Sequence, residues 1–307
     1  MLHFIVFIAA LLLVFKSAEA ALKHSSALAV SLGLSKGTVG FLLIAFISVL
    51  PETFISALSA IEGDPSLGLG TLFGSNVADL TLVLALVAWI GGRNLKVESH
   101  ILKNARYYLG LLAAALLLGL DSYYSRWEGL LLIFGGIFFH LHILKGGVQE
   151  QLRIDTKFSF QNVLALIISM GFLLLGAHFT VDSAVEIAAT LGVKPALVGM
   201  FLIALGTTLP ELFFAIKAVR QKEDGLALGD ILGTVLTDAT IVVGILALIH
   251  PFSFDARIVY STGVIMLFAA VVLFYLMKTG KNLTRKEVCL LALIYLFFVV
   301  LEWTVQT

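Results

Sequence analysis

The feature that most constrains this chain is its division into ten apolar stretches by short polar or Gly/Pro-containing segments. A bilayer core about 30 Å thick is crossed by about 20 apolar residues in an α-helix, and a helix satisfies its backbone hydrogen bonds locally, as lipid requires. The expected fold class is therefore an all-α integral membrane protein with ten transmembrane helices. They are predicted at residues 2–31, 37–61, 65–92, 104–120, 127–145, 158–191, 195–220, 225–250, 257–278 and 287–304.

Composition agrees with this fold class and excludes several functions. Apolar residues make up 60% of the chain and charged residues 13%, against about 45–50% and about 25% in soluble domains. The 20 basic and 20 acidic residues cancel, so no basic surface for nucleic acid is indicated. The single cysteine, Cys289, excludes an internal disulfide and a multi-cysteine metal site. The expected partner is the lipid bilayer, with no resident cofactor and no obligate protein partner.

Basic residues are distributed unevenly between the two alternating sets of loops. One set carries fifteen and the other carries three, Arg126, Lys194 and Arg257. Because Lys and Arg concentrate in cytoplasmic loops, we expect the richer set to be cytoplasmic and both termini to be extracellular, in a multi-pass protein of the cell membrane. The fifteen are Lys36, Arg93, Lys96, Lys103, Arg106, Lys145, Arg153, Lys157, Lys217, Arg220, Lys222, Lys278, Lys281, Arg285 and Lys286.

The chain also matches itself at an offset of 159 residues without a gap. Leu50-Pro51-Glu52 aligns with Leu209-Pro210-Glu211, and Asp79 aligns with Asp238. Five predicted spans separate equivalent positions, so the second copy enters the membrane from the opposite side. Inverted repeats with a substrate site at the membrane midplane are common in secondary transporters. We predict one five-helix repeat at residues 1–145, a short cytoplasmic linker at 146–157 and a second five-helix repeat at 158–307.

The N-terminal segment has some features of a signal peptide. The apolar run from Leu2 to Phe15 precedes Ser17-Ala18-Glu19-Ala20, which is similar to a cleavage site. No Lys or Arg precedes the run, however, and cleavage would cut a repeated unit. We therefore interpret the segment from Leu2 onward as a mature membrane helix.

Each repeat carries a Pro-Glu pair near the middle of one predicted span and an Asp near the middle of the next. These four residues, Glu52, Asp79, Glu211 and Asp238, are called the acidic cluster below. An ionised carboxylate in lipid is costly, so such groups face a polar cavity and are functional by default. Pairing with buried basic residues is the alternative, but the basic residues inside the predicted spans are too few and too peripheral.

Neutral oxygen ligands are close to the acidic cluster in the sequence. Pro51 and Pro210 each remove a backbone donor and thereby free carbonyl oxygens. Carboxylate, carbonyl and hydroxyl oxygens together make a hard site suited to calcium, sodium or a related cation. The neighbouring hydroxyl residues include Ser48, Thr53, Ser56, Ser75, Thr207, Thr208, Thr234, Thr237 and Thr240.

The charge of the acidic cluster favours exchange. Four ionised carboxylates carry a charge of about −4, and one divalent cation leaves about −2 in a low-dielectric cavity. Protons or several monovalent cations must supply the difference. Because an empty ionised site is too costly to cross the membrane, we expect the protein to change sides only when it is loaded, which is obligatory exchange.

Other polar residues of the spans have plainer expected roles. Asp230 is expected to cap the start of the eighth span, with a fifth cavity acid as the alternative. Glu19 of the first span and Asp182 with Glu186 of the sixth either line an access path or have a structural role, pairing with Lys23 or facing the membrane interface. His140 is expected to be a satisfied interfacial histidine, since the histidines show no metal-binding spacing.

The segments 45–52 with 70–79, and 204–211 with 229–238, resemble the two α-repeats of the cation/calcium exchanger superfamily, closest to its sodium/calcium exchanger branch. Their sequences are AFISVLPE with GTLFGSNVAD, and ALGTTLPE with GDILGTVLTD. The resemblance implies an antiporter that moves calcium against sodium, with alternating access produced by two long helices sliding past a fixed bundle. The first and sixth spans match those moving helices. The prediction is a secondary-active cation antiporter and not an enzyme.

By position, the resemblance implies a cation site with Glu52 and Glu211 as its central carboxylates. The family's acid or amide on the third and eighth spans falls on Asp79 and Asp238. The hydroxyl and carbonyl ligands fall on Ser48, Ser75, Thr207, Thr208, Thr234, Ala45 and Ala204.

Departures from the family pattern bear on the coupling ion. In the first repeat a hydroxyl is lost at Val49 and a glycine at Ile47, and Asp79 and Asp238 are two acids where the family usually has at most one. Losing a neutral sodium ligand and gaining an acid favours proton coupling or another divalent cation. A proton-coupled calcium or cation exchanger is therefore the alternative function.

Two functions of other classes, an intramembrane protease and a channel, are less compatible with the sequence than exchange. An intramembrane aspartyl protease also needs two Asp residues that share a proton, but its Tyr-Asp and Gly-x-Gly-Asp pairs are absent from the sequence. A channel is disfavoured because a duplicated, inverted half and a charge that requires compensation indicate alternating access.

Overall fold

The computed structural model describes residues 2–31, 49–97, 99–147, 160–222, 224–280 and 282–306. The predicted ligands Ala45 and Ser48, the departure at Ile47 and most of the predicted linker lie outside these residues. Nearly all of the described chain is helical, in agreement with the expected all-α fold class.

The bounds of the helices and strands are as follows. The described α-helices are α1 (Leu2–Ser31), α2 (Leu50–Ile61), α3 (Pro65–Ala78), α4 (Leu84–Gly91), α5 (Ser99–Leu118), α6 (Arg126–Gly147), α7 (Phe160–Leu191), α8 (Pro195–Val198), α9 (Ala204–Thr207), α10 (Leu209–Arg220), α11 (Asp224–Thr237), α12 (Val243–Ile249), α13 (Val264–Gly280) and α14 (Glu287–Gln306). The π-helical segments are Asp79–Val83, Gly199–Ile203, Asp238–Val242 and Ile258–Gly263. The strands are β1 (Leu95–Lys96), β2 (Tyr123–Tyr124), β3 (Phe252–Ser253) and β4 (Asn282–Leu283).

The described helices confirm a multi-pass membrane protein. Seven helical stretches in the described residues are long and apolar enough to cross a bilayer. Helices α1, α2 and α6 lie at the positions of the other three predicted spans, and the total of ten stays a prediction. The seven stretches are Pro65–Gly91, Ile101–Leu118, Phe160–Leu191, Pro195–Arg220, Ala227–Ile249, Ile258–Gly280 and Glu287–Thr304.

The two predicted repeats share unusual backbone features. A π-helical segment begins at Asp79 and another at Asp238, which are equivalent positions of the repeat. Helices α2 and α10 are both 12 residues long and both have a proline in the first turn. The residues before them, Val49 and Thr208, have dihedral angles of φ −79°, ψ −2° and φ −77°, ψ −6°. From Val49 and Thr208 onward, equivalent sequences therefore adopt the same local structure.

Two small antiparallel sheets and two ion pairs connect loops that are distant in sequence. Strand β1 pairs with β4, and β2 pairs with β3, so each sheet takes one strand from each predicted repeat. Ion pairs join Arg93 to Asp224 and Lys194 to Asp255. In each case both loops belong to the same predicted side of the membrane. The grouping of these loops agrees with the predicted topology, whereas the cytoplasmic identity of either side stays a prediction.

The spans that carry Asp79 and Asp238 lie at the centre of the bundle. In the most apolar part of each span, the share of buried residues is 78% for Pro65–Gly91 and 89% for Ala227–Ile249. The corresponding share for Phe160–Leu191 is 28%. Helices α1 and α7, which have 30 and 32 residues, pack along each other outside this centre. The acids are therefore on the most enclosed helices, and the longest helices are peripheral.

Glycines allow α3 to cross the π-helical segment Gly199–Ile203 at close range. A Cβ added to Gly74 would lie 2.6 Å from the carbonyl oxygen of Met200, and one added to Gly199 would lie 2.5 Å from that of Leu67. Small residues permit such approaches between membrane helices. This crossing brings the third span against the seventh, next to the acidic cluster.

Candidate cation site

The two glutamates of the acidic cluster lie in the first turns of α2 and α10, directly after Pro51 and Pro210. Proline suits a first turn because it has no N–H to leave unpaired. Each of the two glutamates is 1% exposed. Because a helix N-terminus stabilises negative charge, the two carboxylates are held in equivalent, favourable settings.

The two aspartates are the first residues of π-helical segments. Asp79 begins Asp79–Val83 and Asp238 begins Asp238–Val242, and both aspartates are fully buried. Single π turns inside α-helices are rare and occur frequently at functional sites. Each aspartate therefore lies where the regular hydrogen bonding of its span changes.

The structure brings the acidic cluster together. Glu52 interacts electrostatically with the other three carboxylates, and Asp79 interacts with Glu211 and Asp238. None of the four forms an ion pair with a described residue. The described ion pairs instead join Lys16 to Glu19, Arg93 to Asp224, Lys194 to Asp255, and His178 to Glu62 and Asp182.

Seven oxygens of the acidic cluster are buried without a hydrogen-bond partner among the described residues: Glu52 Oε2 and both carboxylate oxygens of Asp79, Glu211 and Asp238. Burying such acceptors is costly unless something pairs with them. A hard cation removes this cost, since calcium and similar ions prefer several oxygen ligands. The donor chemistry therefore fits a hard inorganic cation.

Four of the predicted hydroxyl ligands are buried, namely Ser75, Thr207, Thr208 and Thr234. The Ser75 hydroxyl donates to the carbonyl oxygen of Leu72 at 3.0 Å. Because its proton points to the backbone, its oxygen keeps lone pairs for a cation. The Thr207 hydroxyl lies within hydrogen-bonding reach of the Glu52 carboxylate, so a residue of the second repeat meets a carboxylate of the first.

The Ala204 carbonyl, a predicted ligand, is engaged inside its own helix. It accepts hydrogen bonds from the Thr208 backbone N–H at 3.0 Å and from the Thr207 hydroxyl at 3.1 Å. The Thr207 hydroxyl has a single proton, which the Ile203 carbonyl oxygen at 3.2 Å shares, so the second acceptor position of Ala204 is only partly used. Pro210, which has no N–H, withholds the α-helical donor from the carbonyl of Gly206, four residues earlier.

Asp230 is not a helix cap, contrary to expectation. Helix α11 begins at Asp224, six residues earlier, and Asp224 interacts with the Arg93 guanidinium and the Lys96 backbone N–H. Asp230 is 6% exposed and interacts electrostatically with Asp79 and with Glu211. It is therefore a fifth acid beside the acidic cluster.

Glu19 and Asp182 make local contacts at the surface. Glu19 pairs with Lys16 at 3.1 Å and not with Lys23. Asp182 lies 3.6 Å from His178, which is also 2.9 Å from Glu62. Both acids therefore pair with nearby side chains, as one of the alternatives had it. Their partners are Lys16 and His178, not Lys23.

His140 is a satisfied histidine, as expected, and its position relative to the membrane interface stays a prediction. Its Nδ1 contacts the Gly136 carbonyl oxygen at 2.9 Å and its Nε2 contacts the Thr237 hydroxyl at 3.1 Å. With Tyr108 and Gly233 it lines a crevice between helices α5, α6, α11 and α13. The histidine is hydrogen-bonded and partly buried beside the residue that precedes Asp238.

Sequence reasoning also missed a buried acid, Glu302 of α14. Its side chain is fully buried, and its Oε1 accepts a hydrogen bond of 2.7 Å from the Thr262 hydroxyl. The sequence signal that could have revealed this residue is a single acid in the last turns of an apolar span. The acid has no counterpart in the other repeat.

The fold and the site define a class, that of multi-pass helical membrane proteins whose buried carboxylates suit inorganic cations. The chain belongs to the sodium/calcium exchanger protein family, whose profile matches residues 2–144 and 161–304. The two matches begin 159 residues apart, which is the offset of the internal repeat. The suspected family resemblance is confirmed, and the family is a class of transporters.

Curated relatives and solved structures agree with this membership. Sodium/calcium exchanger MaX1 of Methanosarcina acetivorans is 24% identical over 346 aligned positions that cover 97% of each chain. Inner membrane protein YrbG of Escherichia coli is 29% identical over 81% of this chain and 80% of its own. A structure of the sodium-calcium exchanger NCX_Mj has a TM-score of 0.70 at 23% identity, covering 97% of this chain and 98% of that one. At this identity the structural likeness establishes the fold alone.

Proposed function

We propose that this protein is a secondary-active antiporter that exchanges calcium, or a related divalent cation, for sodium by alternating access across the cell membrane. The observation that carries the proposal is the acidic cluster, whose four buried carboxylates have seven oxygens without a hydrogen-bond partner in the described part of the chain. In the proposed topology ten helices form two inverted repeats, and both termini are extracellular.

The proposed site combines the acidic cluster with neutral oxygens. The carboxylates bind the divalent cation and share the site with the counter-ion, while hydroxyl and carbonyl oxygens complete the coordination. Calcium and sodium pass through as substrates, so no cofactor is proposed. The proposed ligands are Glu52, Asp79, Glu211, Asp238, Ser48, Ser75, Thr207, Thr208, Thr234, Ala45 and Ala204.

Charge supports movement only in the loaded state. With Asp230 ionised beside the acidic cluster, the site carries about −5, and one divalent cation leaves about −3 in a water-poor environment. The empty site is then the most costly state to enclose. Exchange follows because each change of side requires one set of cations or the other.

The packing of the long helices supports alternating access. Helices α1 and α7 pack along each other. Most residues in the apolar part of α7 are not buried by other helices. Moving this pair disturbs less buried surface than moving the spans that carry Asp79 and Asp238. We therefore assign the gating motion to α1 and α7 and treat the other helices as the fixed bundle.

A proton-coupled exchanger is the second candidate. Val49 lacks the hydroxyl that the family pattern places there, and its side chain is buried. Asp79 and Asp230 add carboxylates, which are groups that can bind a proton as well as a cation. Both features favour protons as the neutralising counter-ion.

Calcium-45 uptake into sealed proteoliposomes tests the exchange function. The expected result is uptake driven by an outward sodium gradient, or by an outward proton gradient for the second candidate. Asp238→Asn should abolish uptake, whereas Glu19→Gln, at an exposed acid paired with Lys16, should leave it within about twofold of wild type. Wild-type uptake that ignores both gradients would show that the protein is not an exchanger.

The coupling ion is tested by restoring the family pattern. If protons drive the wild-type protein, Val49→Ser combined with Asp79→Asn should shift the coupling toward sodium, because the pair restores a neutral sodium ligand and removes an acid. A double variant that stays insensitive to sodium while retaining proton-driven uptake contradicts this assignment.

A further inference from the structure

A second group of side chains that can bind a metal ion lies outside the acidic cluster. Glu62 directly follows α2, and His178 and Asp182 belong to α7. One ligand atom from each of the three lies within 4.8 Å of the other two. These three residues are called the histidine cluster below. Both carboxylates lie beside the imidazole, and neither pairs with a Lys or Arg of the described residues.

The spacing of the histidine cluster suits a metal ion. His178 and Asp182 are four residues apart on one helix, so their side chains lie on the same face, and ligands with this spacing bind zinc in metalloproteases. The imidazole Nε2 is 3.6 Å from Asp182 Oδ2, and Nδ1 is 2.9 Å from Glu62 Oε1. Ligand atoms around a tetrahedral zinc ion are about 3.3 Å apart. Small rotations of the three exposed side chains therefore suffice to close the site.

The ligand types of the histidine cluster favour a transition metal over calcium or sodium. Imidazole suits zinc and similar ions, whereas calcium and magnesium are bound through oxygen alone. Three protein ligands with a water in the fourth position are a common zinc set. All three residues are exposed, so the fourth position is open to water. The imidazole thereby distinguishes this cluster from the acidic cluster, which has only oxygen ligands.

Aqueous ions can reach the histidine cluster. Glu62 is ten residues after Glu52 along α2, which corresponds to about 15 Å at a rise of about 1.5 Å per residue. Half of a bilayer core is also about 15 Å thick. With Glu52 near the membrane midplane, as proposed, Glu62 lies at the boundary between membrane and water. In the predicted topology this is the extracellular boundary.

The histidine cluster connects the two parts of the proposed transport machinery. Glu62 ends a helix of the fixed bundle, whereas His178 and Asp182 lie on α7, to which the gating motion is assigned. Helices α2 and α7 pack against each other. A metal ion bound by all three residues fixes the separation of these helices, and the gating motion of α7 requires that separation to change.

We propose that Glu62, His178 and Asp182 form an inhibitory site for zinc or a similar divalent transition metal ion, which holds α7 against α2 and stops exchange. The metal ion is a regulator at this site and is not transported through it. Zinc binding is independent of the proposed function, whereas inhibition of exchange rests on it.

Direct binding to the purified protein tests the site. His178→Gln keeps a hydrogen-bonding side chain but removes the imidazole. His24→Gln is the matched control, because His24 of α1 contacts the amide oxygen of Asn162 on α7 at 3.0 Å. In zinc calorimetry with excess calcium, His178→Gln should lower the zinc affinity at least about tenfold, and His24→Gln should leave it within about twofold of wild type. Equal zinc affinity of the wild type and His178→Gln would reduce the cluster to an ion pair and overturn the site.

Calcium uptake into proteoliposomes tests the inhibition. With zinc on both sides, the maximal rate of the wild type and of His24→Gln should fall, while the calcium concentration for half-maximal uptake should change by less than about twofold. His178→Gln should transport normally without zinc and should need at least about tenfold more zinc for the same inhibition. Inhibition that excess calcium relieves would place zinc at the acidic cluster and contradict the inhibitory site. If the wild-type protein transports no calcium, the proposed function is wrong, and calorimetry still decides whether the histidine cluster binds zinc.

Discussion

Gly74 lies where α3 crosses the backbone of the seventh span, so Gly74→Ala perturbs the contact between the two repeats directly. The added Cβ would be 2.6 Å from the Met200 carbonyl oxygen, 2.7 Å from its Cα and 3.0 Å from its carbonyl carbon. All three atoms belong to the backbone, so no side-chain rotation relieves the clash. Ordinary contact begins at 3.4 Å, and the helices must therefore separate by roughly 0.8 Å.

This separation has a cost in stability and in transport. Overpacking of this kind costs about 1–3 kcal/mol, so the thermal unfolding midpoint in detergent should fall by several degrees. Binding sites tolerate displacements of only about 0.5 Å, and α3 carries both Ser75 and the end that leads into Asp79. The calcium concentration for half-maximal uptake should therefore rise, on the order of tenfold.

Gly110→Ala is the matched control. Gly110 lies inside α5, and a Cβ there would meet nothing within 4 Å. Because alanine is the better helix former, by about 1 kcal/mol, this variant should be as stable as wild type or more stable, with unchanged uptake. If Gly74→Ala matches Gly110→Ala in both unfolding and uptake, the crossing is not a tight contact and the reasoning is refuted.

Three further outcomes are expected. Glu211→Gln should reduce calcium uptake about 100-fold at subsaturating calcium, because it removes a charged ligand contact of about 3 kcal/mol; a reduction below threefold in the flux assay would contradict its role. Asp230→Asn should raise the half-saturating calcium concentration about threefold to tenfold, and since Asn caps helices as well as Asp, unchanged binding would contradict its place in the site. Burial would raise the pKa of Asp255, but the hydrogen bonds and positive charges of Lys194 and Arg257 hold it below its usual value. The stabilisation is therefore present above the unfolded pKa of about 4 and lost as the pH falls through the lower folded pKa; the difference in thermal unfolding between Asp255→Asn and wild type should therefore shrink progressively as the pH is lowered below about 4, and a constant difference would be inconsistent with the ion pair.

Much of the candidate cation site was predictable because its defining pattern is local and duplicated. Pro51 and Glu52, with Pro210 and Glu211, recur at one offset, and the structure gives both pairs the same place in the first turn of a helix. A proline that follows an apolar run interrupts a span wherever the span packs. The positions of the four carboxylates within their helices could therefore be read without any tertiary information.

Predictions that depended on an exact helix boundary or on a distant partner were less successful. Asp230 was expected to begin a helix, but the helix starts at Asp224, which is held by Arg93 from a loop 131 residues away in sequence. Pairing with Lys23 was one of the alternatives for Glu19, but Lys16, one turn away, is its partner. Such partners are chosen by the directions of side chains, which apolar periodicity does not report.

By itself, the sequence determined the all-helical membrane class, the duplication and the identity of the acidic cluster. It could do so because lipid forces each span to satisfy its own hydrogen bonds, which makes spanning a property of about 20 consecutive residues. Only the tertiary structure decided that Asp230 lies beside the acidic cluster and that the His140 ring contacts the Thr237 hydroxyl. These relations join residues on different helices, and the packing of the helices, including the glycine crossing between α3 and the seventh span, determines which residues meet.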